Sequence, residues 1–217
     1  RLKGFGRGPV GKDETMSKIV VNTNVTLDGV MQAPAAPDED PRGGFEHGGC
    51  AIPFADDDSM QAMGAHISAQ RGFLFGRRSC EDILGHWNSV PDSPFADALN
   101  NASKYVASTS TEPLRWPNST QITGDVPKAV AELKQEAGGD LNVMGSGVLI
   151  RSLLPHGLID EFMLMISPIV LGSGRRLFED APRSPLRLVD SRITTTGVVI
   201  ATYQPSESAA DGDVPES

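Results

Sequence analysis

The chain has 217 residues, 39% of them hydrophobic, which is enough for one well-buried core or at most two small ones. Its net charge of −9 argues against a nucleic-acid partner, because neutralising a phosphate backbone needs a basic surface. No apolar run approaches the roughly 18 residues of a membrane span, and Cys50 and Cys80 form neither a CxxC pair nor a disulfide framework. The expectation is a cytoplasmic protein with no membrane contact.

Residues 1–16, beginning "RLKGFGRGPVGKDET", carry basic residues without an apolar segment behind them and lack periodicity. They read as a disordered extension, and the acidic stretch 206–217 reads as a disordered tail. Residues 17–205 read as one domain. "KIVVNTNVTLDG" (18–29) is a β-branched run ending in Asp-Gly, a strand entering a turn. Val30 to Asp58 is rich in Pro, Gly and Asp, and such a long loop in a compact domain is usually functional. It is expected to be a mobile lid with little to bury. "SMQAMGAHISAQ" (59–70) suits a helix capped by Ser59. "GFLFG" (72–76) reads as a buried strand and "RSCEDILGHW" as the helix after it. "KYVAST" and "NSTQITGD" hold further strands.

"VPKAVAELKQEAGG" (126–139) reads as a helix capped by Asp125, with Pro127 in the first turn, where no helical amide is needed. "LNVMG" is a strand, and "VLIRSLLPHG" a helix that stops at Pro155-His156-Gly157. From Asp160 the alternation ends, and "EFMLMISPIVLG", "LRLVDSRITTTG" and "VVIATYQP" are three strand-like runs without a helix between them. The fold class is therefore α/β: helices on both faces of a mixed, mostly parallel sheet, with antiparallel C-terminal strands.

Two strand-to-helix turns can hold phosphate. Gly145-Ser146-Gly147 would offer helix-start amides and a close backbone approach, although the G-x-G-x-x-G fingerprint fails because Ile150 stands at its third glycine. The alternative is tight packing without a ligand. "FGRRS" (75–79) places Arg77 and Arg78 at a helix start, where the dipole disfavours positive charge unless an anion is bound. Asp28 in "TLDG" ends the first strand, where ligands of open α/β sheets collect, though an Asp-Gly turn without chemistry is the commoner fate. "PIVLGSGRRLF" (168–178) looks first like a connection or interface element. The histidines at 47, 66, 86 and 156 show no metal spacing, and His47 with Cys50 is too little for zinc.

Taken in order, "TLDG", "FLFGRRS", "YVAST", "NSTQITGDV", "VMGSGVLIRSLL" and "GLIDEFMLMISPIVLGSGRRLF" resemble the dihydrofolate reductase-like superfamily, in the branch containing the riboflavin-biosynthesis reductase domain. The resemblance implies a three-layer α/β/α fold and an NADPH-dependent reductase. It assigns Gly76, Arg77, Arg78 and Ser79 to the first phosphate turn, with Arg77 nearest the adenosine 2′-phosphate. Ser108 and Thr109 would flank the adenine ribose, and Gly145, Ser146, Gly147, Val148 and Leu149 would lie under the pyrophosphate. Asp28 would orient the substrate or relay a proton. The resemblance also implies a cis Gly145–Ser146 bond and a homodimer. No pterin-binding carboxylate can be placed beyond Asp56, Asp57 or Asp58 as approximate candidates, and the zinc deaminase half of the bifunctional riboflavin enzyme is absent.

Three functions remain open at this point. The first is an NADPH-dependent reductase of a small heterocyclic or carbonyl-like substrate. The second is the riboflavin-pathway reductase of a phosphoribosylamino-pyrimidine, whose phosphate Arg42, Arg175 and Arg176 could receive. The third is a non-catalytic nucleotide-binding protein.

Overall fold

A computed structural model describes residues 16–136 and 138–206. The expected disorder of the extension and of the tail falls, but for Met16 and Ser206, outside the described residues. The order of elements is β1 (Ile19–Thr26), α1 (Asp57–Ser68), β2 (Gly72–Gly76), α2 (Arg77–Ser89), α3 (Pro94–Asn101), β3 (Ser103–Ala107), β4 (Ser119–Ile122), α4 (Val126–Lys134), β5 (Leu141–Met144), α5 (Gly147–Leu153), β6 (Glu161–Ser167), β7 (Leu186–Ile193) and β8 (Val199–Pro205). The eight strands form one sheet in the order β4-β3-β2-β5-β1-β6-β8-β7. All pairs up to β1–β6 are parallel, while β6–β8 and β8–β7 are antiparallel.

Alternation along the strands divides the core into two faces, since successive side chains point to opposite sides. Ile19, Val21, Val25, Leu141 and Val143 pack with Val130 of α4 and Leu149, Ile150 and Leu153 of α5. On the other face Phe73, Phe75 and Val106 pack with Ile67, Cys80, Leu84 and Leu99 from α1, α2 and α3. Met163 and Met165 meet Ala62 of α1. The three-layer expectation holds.

Helix α3 was not expected. Its eight residues are too short for a clear period, although Ser93 accepts from the Ala96 N–H and Pro94 opens the helix. Its last turn is held by Lys104, a fully buried residue of β3 whose Nζ donates to the carbonyls of Leu99 (2.6 Å), Asn100 (3.2 Å) and Ala102 (2.8 Å). A cation at a helix C-terminus satisfies carbonyls that have no helical partner. Burial nonetheless lowers the Lys104 pKa.

Helix α1 starts two residues before the expected cap. Asp56 is the N-cap: its carboxylate accepts from the Ser59 N–H (2.9 Å), and Ser59 answers by accepting from the Asp56 N–H. Asp56 also accepts from Thr195 and Thr196, which pins α1 to the β7–β8 turn.

The Val30 to Asp58 loop departs from its expectation in one respect. Val30, Gln32, Ala33 and Ala36 are buried, and backbone bonds from Met31 to Arg175, Gly49 to Ala33 and Ala51 to Pro34 fix it. It has more to bury than its composition suggests. Among the described residues no helix is long and apolar enough to cross a membrane.

Candidate active site

Parallel strands β2 and β5 lie side by side, so the turns that follow them open at the same edge of the sheet. Two serines clamp these turns together. The Ser146 hydroxyl accepts from the Gly76 N–H (3.0 Å) and donates to the Met144 carbonyl (3.1 Å), while Ser79 donates to the Gly145 carbonyl (3.2 Å). Gly145 sits at φ +64°, left-handed backbone that favours glycine. At Gly147 a Cβ would stand 2.8 Å from Met31 Sδ, so a larger residue there would displace the flexible Met31 side chain. The described residues contain no cis peptide bond, so the expected cis Gly145–Ser146 bond is corrected to trans. The left-handed Gly145 turns the chain instead.

Between and above these turns lies a cleft of about 810 Å³. Gly76, Arg77, Arg78, Ser79, Ser108, Thr109, Gly145, Ser146, Gly147, Val148 and Leu149 all line it, so residues far apart in sequence converge as expected. Helix α2 begins at Gly76 with no side-chain cap, so the amides of its first turn have no helical or side-chain acceptor.

The two arginines differ. Arg77 donates through Nε to Glu81 (3.0 Å) and through its two Nη atoms to the carbonyls of Glu112 (2.8 Å) and Pro113 (3.0 Å). Its guanidinium is fully engaged in bracing the loop after β3. Arg78 is exposed and lines the cleft without such a partner.

Asp28 lies outside the residues that line the cleft. Its carboxylate accepts from Thr26 Oγ1 and from the amides of Leu171 and Gly172 (3.3 and 2.9 Å), and Arg176 stands 3.6 Å away. The Thr26 hydroxyl above all, opposed by some burial and helped by the two amides, holds its pKa down at about 2. A carboxylate so fully hydrogen-bonded stays ionised at neutral pH and braces the 168–176 connection. The structure thus does not bring Asp28, the expected catalytic residue, into the cleft lining, and its hydrogen bonds give it a bracing role. The connection itself lies as expected between strands, with Leu177 bonded back to Gly29. Asp56, fixed as the α1 cap, has its pKa lowered chiefly by the Ser59 amide. It too lies outside the residues that line the cleft.

Residues not anticipated from sequence complete the lining of the cleft. Asn22 and Asn24 of β1, Met63 of α1, Ile83 and Trp87 of α2, and Met165 of β6 line it. Four carboxylates join them. Glu39 accepts from the Ala35 and Ala36 amides, and burial, partly offset by those bonds, raises its pKa. Asp82 is likewise raised by burial, against the attraction of Arg42. Arg42 bridges Asp40 and Asp82, the latter at 2.8 Å. Burial opposes ionisation of Asp40, but Arg42 outweighs it and the pKa falls. Glu81 is held by Arg77. The one sequence signal was an amide within the otherwise apolar first half of β1.

The model of the RibD C-terminal domain matches residues 17–201. The chain belongs to this family. Among its relatives, the Bacillus subtilis (strain 168) protein YyaP is 33% identical over 136 residues, covering 60% of this chain and 71% of that protein. A candidate riboflavin biosynthesis protein of Shewanella sp. PV-4 superposes with a TM-score of 0.65 at 19% identity, covering 88% of this chain and 99% of that one. Dihydrofolate reductase of Enterococcus faecalis, complexed with NADP(H) and RAB-propyl, superposes with a TM-score of 0.57 at 12% identity, covering 89% and 99%. This member of the RibD C-terminal domain family therefore has a dihydrofolate reductase-like fold.

Proposed function

We propose that the protein is an NADPH-dependent reductase of a small heterocyclic or carbonyl-like substrate. The observation that carries this reading is the pair of clamped glycine turns. They put the uncapped first turn of α2, the free Arg78 and the bare backbone of Gly145 on one cleft. A dinucleotide needs these features: unspent amides and a guanidinium for phosphate, and glycine where the backbone must come close. The family and the fold, which a dihydrofolate reductase complexed with NADP(H) shares, support the same reading.

In this reading Arg78 and the amides of Arg77 to Ser79 bind the adenosine 2′-phosphate, a role moved from Arg77 because its guanidinium is spent. Ser108 and Thr109 border the ribose, and residues 145–149 receive the pyrophosphate. When bound, the reduced nicotinamide supplies a hydride. Asn22, Asn24 and Met165 floor the space left for substrate, and Met63, Ile83 and Trp87 flank it, excluding water. Burial raises the carboxyls of Glu39 and Asp82, which makes them the cleft carboxyls most inclined to take up a proton.

The riboflavin-pathway alternative draws support from the family and from the Shewanella relative; Arg42 is neutralised by Asp40 and Asp82 and Arg176 is engaged with Asp28, which leaves Arg175 of the cleft lining for its phosphate. Isothermal titration with NADPH and NADH tests the proposal: tighter binding of NADPH supports it, and no binding of either removes it.

A further inference from the structure

The substrate end of the cleft has an uncommon chemistry for a site that must grip a polar ring. Asn22 lines it at 2% exposure, and its Nδ2 has no hydrogen-bond partner in the protein. A buried amide nitrogen left unpaired calls for an acceptor from a ligand or from water. A carboxamide donates and accepts in one plane, which matches the adjacent C=O and N–H of a lactam. Of the carboxylates that line the cleft, Asp40 and Asp82 are paired with Arg42 and Glu81 with Arg77, while Glu39 accepts from two amides through one oxygen. From α1 only Met63 lines the cleft. An amidine edge placed at Asn22 would meet a carboxamide rather than a carboxylate.

A second observation concerns what the ring carries. The cleft shares Asn24, Pro34, Ala35, Met63, Trp87 and Met165 with a side chamber of about 190 Å³. The chamber's remaining walls include Ile52, Phe54, Met60 and Val198, and no Lys, Arg, His, Asp or Glu lines it. A phosphoribosyl arm would gain nothing there, whereas an apolar arm would be removed from water.

We infer that the substrate is a neutral ring presenting a lactam edge to Asn22 and carrying an apolar substituent that enters the side chamber. This rests on the reductase reading of the cleft and names the substrate class. Asn22 acts as a specificity-determining residue.

Three probes test it by tryptophan fluorescence in a Trp116→Phe background, which leaves Trp87 of the cleft as the reporter, with no cofactor present: uracil, 5-benzyluracil and 2,4-diamino-5-benzylpyrimidine. The wild type should bind 5-benzyluracil about tenfold or more tighter than either of the others. Asn22→Asp supplies the missing anion and should reverse the preference between the two benzyl probes. Asn22→Leu should weaken 5-benzyluracil by about ten- to a hundredfold. Asn142→Leu, whose amide is also unpartnered but does not line the cleft, should leave the preference intact. Ala51→Phe, at the wall of the side chamber, should weaken 5-benzyluracil and spare uracil. Thermal melts of each variant separate misfolding from lost recognition. Tighter wild-type binding of the diaminopyrimidine, or an Asn22→Asp variant whose preference is unmoved, would overturn the inference. Because no cofactor enters the assay, these results stand or fall apart from NADPH binding.

Discussion

Exchanging Arg78 for alanine isolates the phosphate contact from the architecture around it. Arg78 is exposed and makes no bond to the protein, so its removal costs the fold little. A hydrogen bond to a charged group contributes about 1.5–3 kcal/mol, roughly ten- to a hundredfold in affinity. Solvent screening at an exposed guanidinium places the effect toward the lower end. Titration calorimetry should therefore show NADPH weakened about tenfold by Arg78→Ala, NADH unchanged, and the difference shrinking as salt rises. Arg77→Ala is the contrasting perturbation: it removes three bonds to Glu81, Glu112 and Pro113 and should lower the melting temperature. If Arg77→Ala erases the NADPH preference while Arg78→Ala leaves it whole, the division of labour argued from the hydrogen bonds is wrong.

Ser146→Ala should lower stability by about 1 kcal/mol in denaturant titrations and weaken NADPH, because the half-buried Gly76 amide loses its acceptor. Asp28→Asn should lower the melting temperature without changing cofactor affinity. With the folded pKa depressed from 3.8 to about 2, the Asp28 contribution should be complete above about pH 4 and vanish as pH falls through 2. Melts of wild type and variant that differ equally at pH 5 and pH 2 would contradict this. Lys104→Met should destabilise the protein by about 3 kcal/mol, since the carbonyls of Leu99 and Ala102 lose their donor while that of Asn100 keeps Asn118. A neutral effect in chemical denaturation would remove the buried lysine from the account. The amides of Met31, Gly49 and Ala51 should resist hydrogen exchange without ligand, and their rapid exchange would restore the freely mobile lid.

How much of this was legible in the sequence depends on how local the physics is. Strand β2 and the helix after it are announced by five residues of buried apolar pattern and a glycine, and the structure places them within a residue or two of that reading. The two glycine turns were readable for the same reason, since backbone geometry and neighbouring side chains sit in one short stretch. The bracing of Asp28 was not legible because its partners, Leu171 and Gly172, are more than 140 positions away. Arg77 and Arg78 look alike in sequence, and only the return of the 112–113 loop distinguishes them. The amides of Asn22 and Asn24 carry no motif. They become informative only when Met63, Trp87 and Met165 gather around them from three other elements.

The central claim is that NADPH lies across the two clamped turns, and amide chemical-shift mapping with nitrogen-15-labelled protein tests it most directly. On adding NADPH, the account predicts the largest shifts at residues 76–79, 108–109 and 145–149, with the 28–29 and 171–172 turn amides nearly unmoved. Shifts confined to other surfaces, or none at millimolar NADPH, would contradict it.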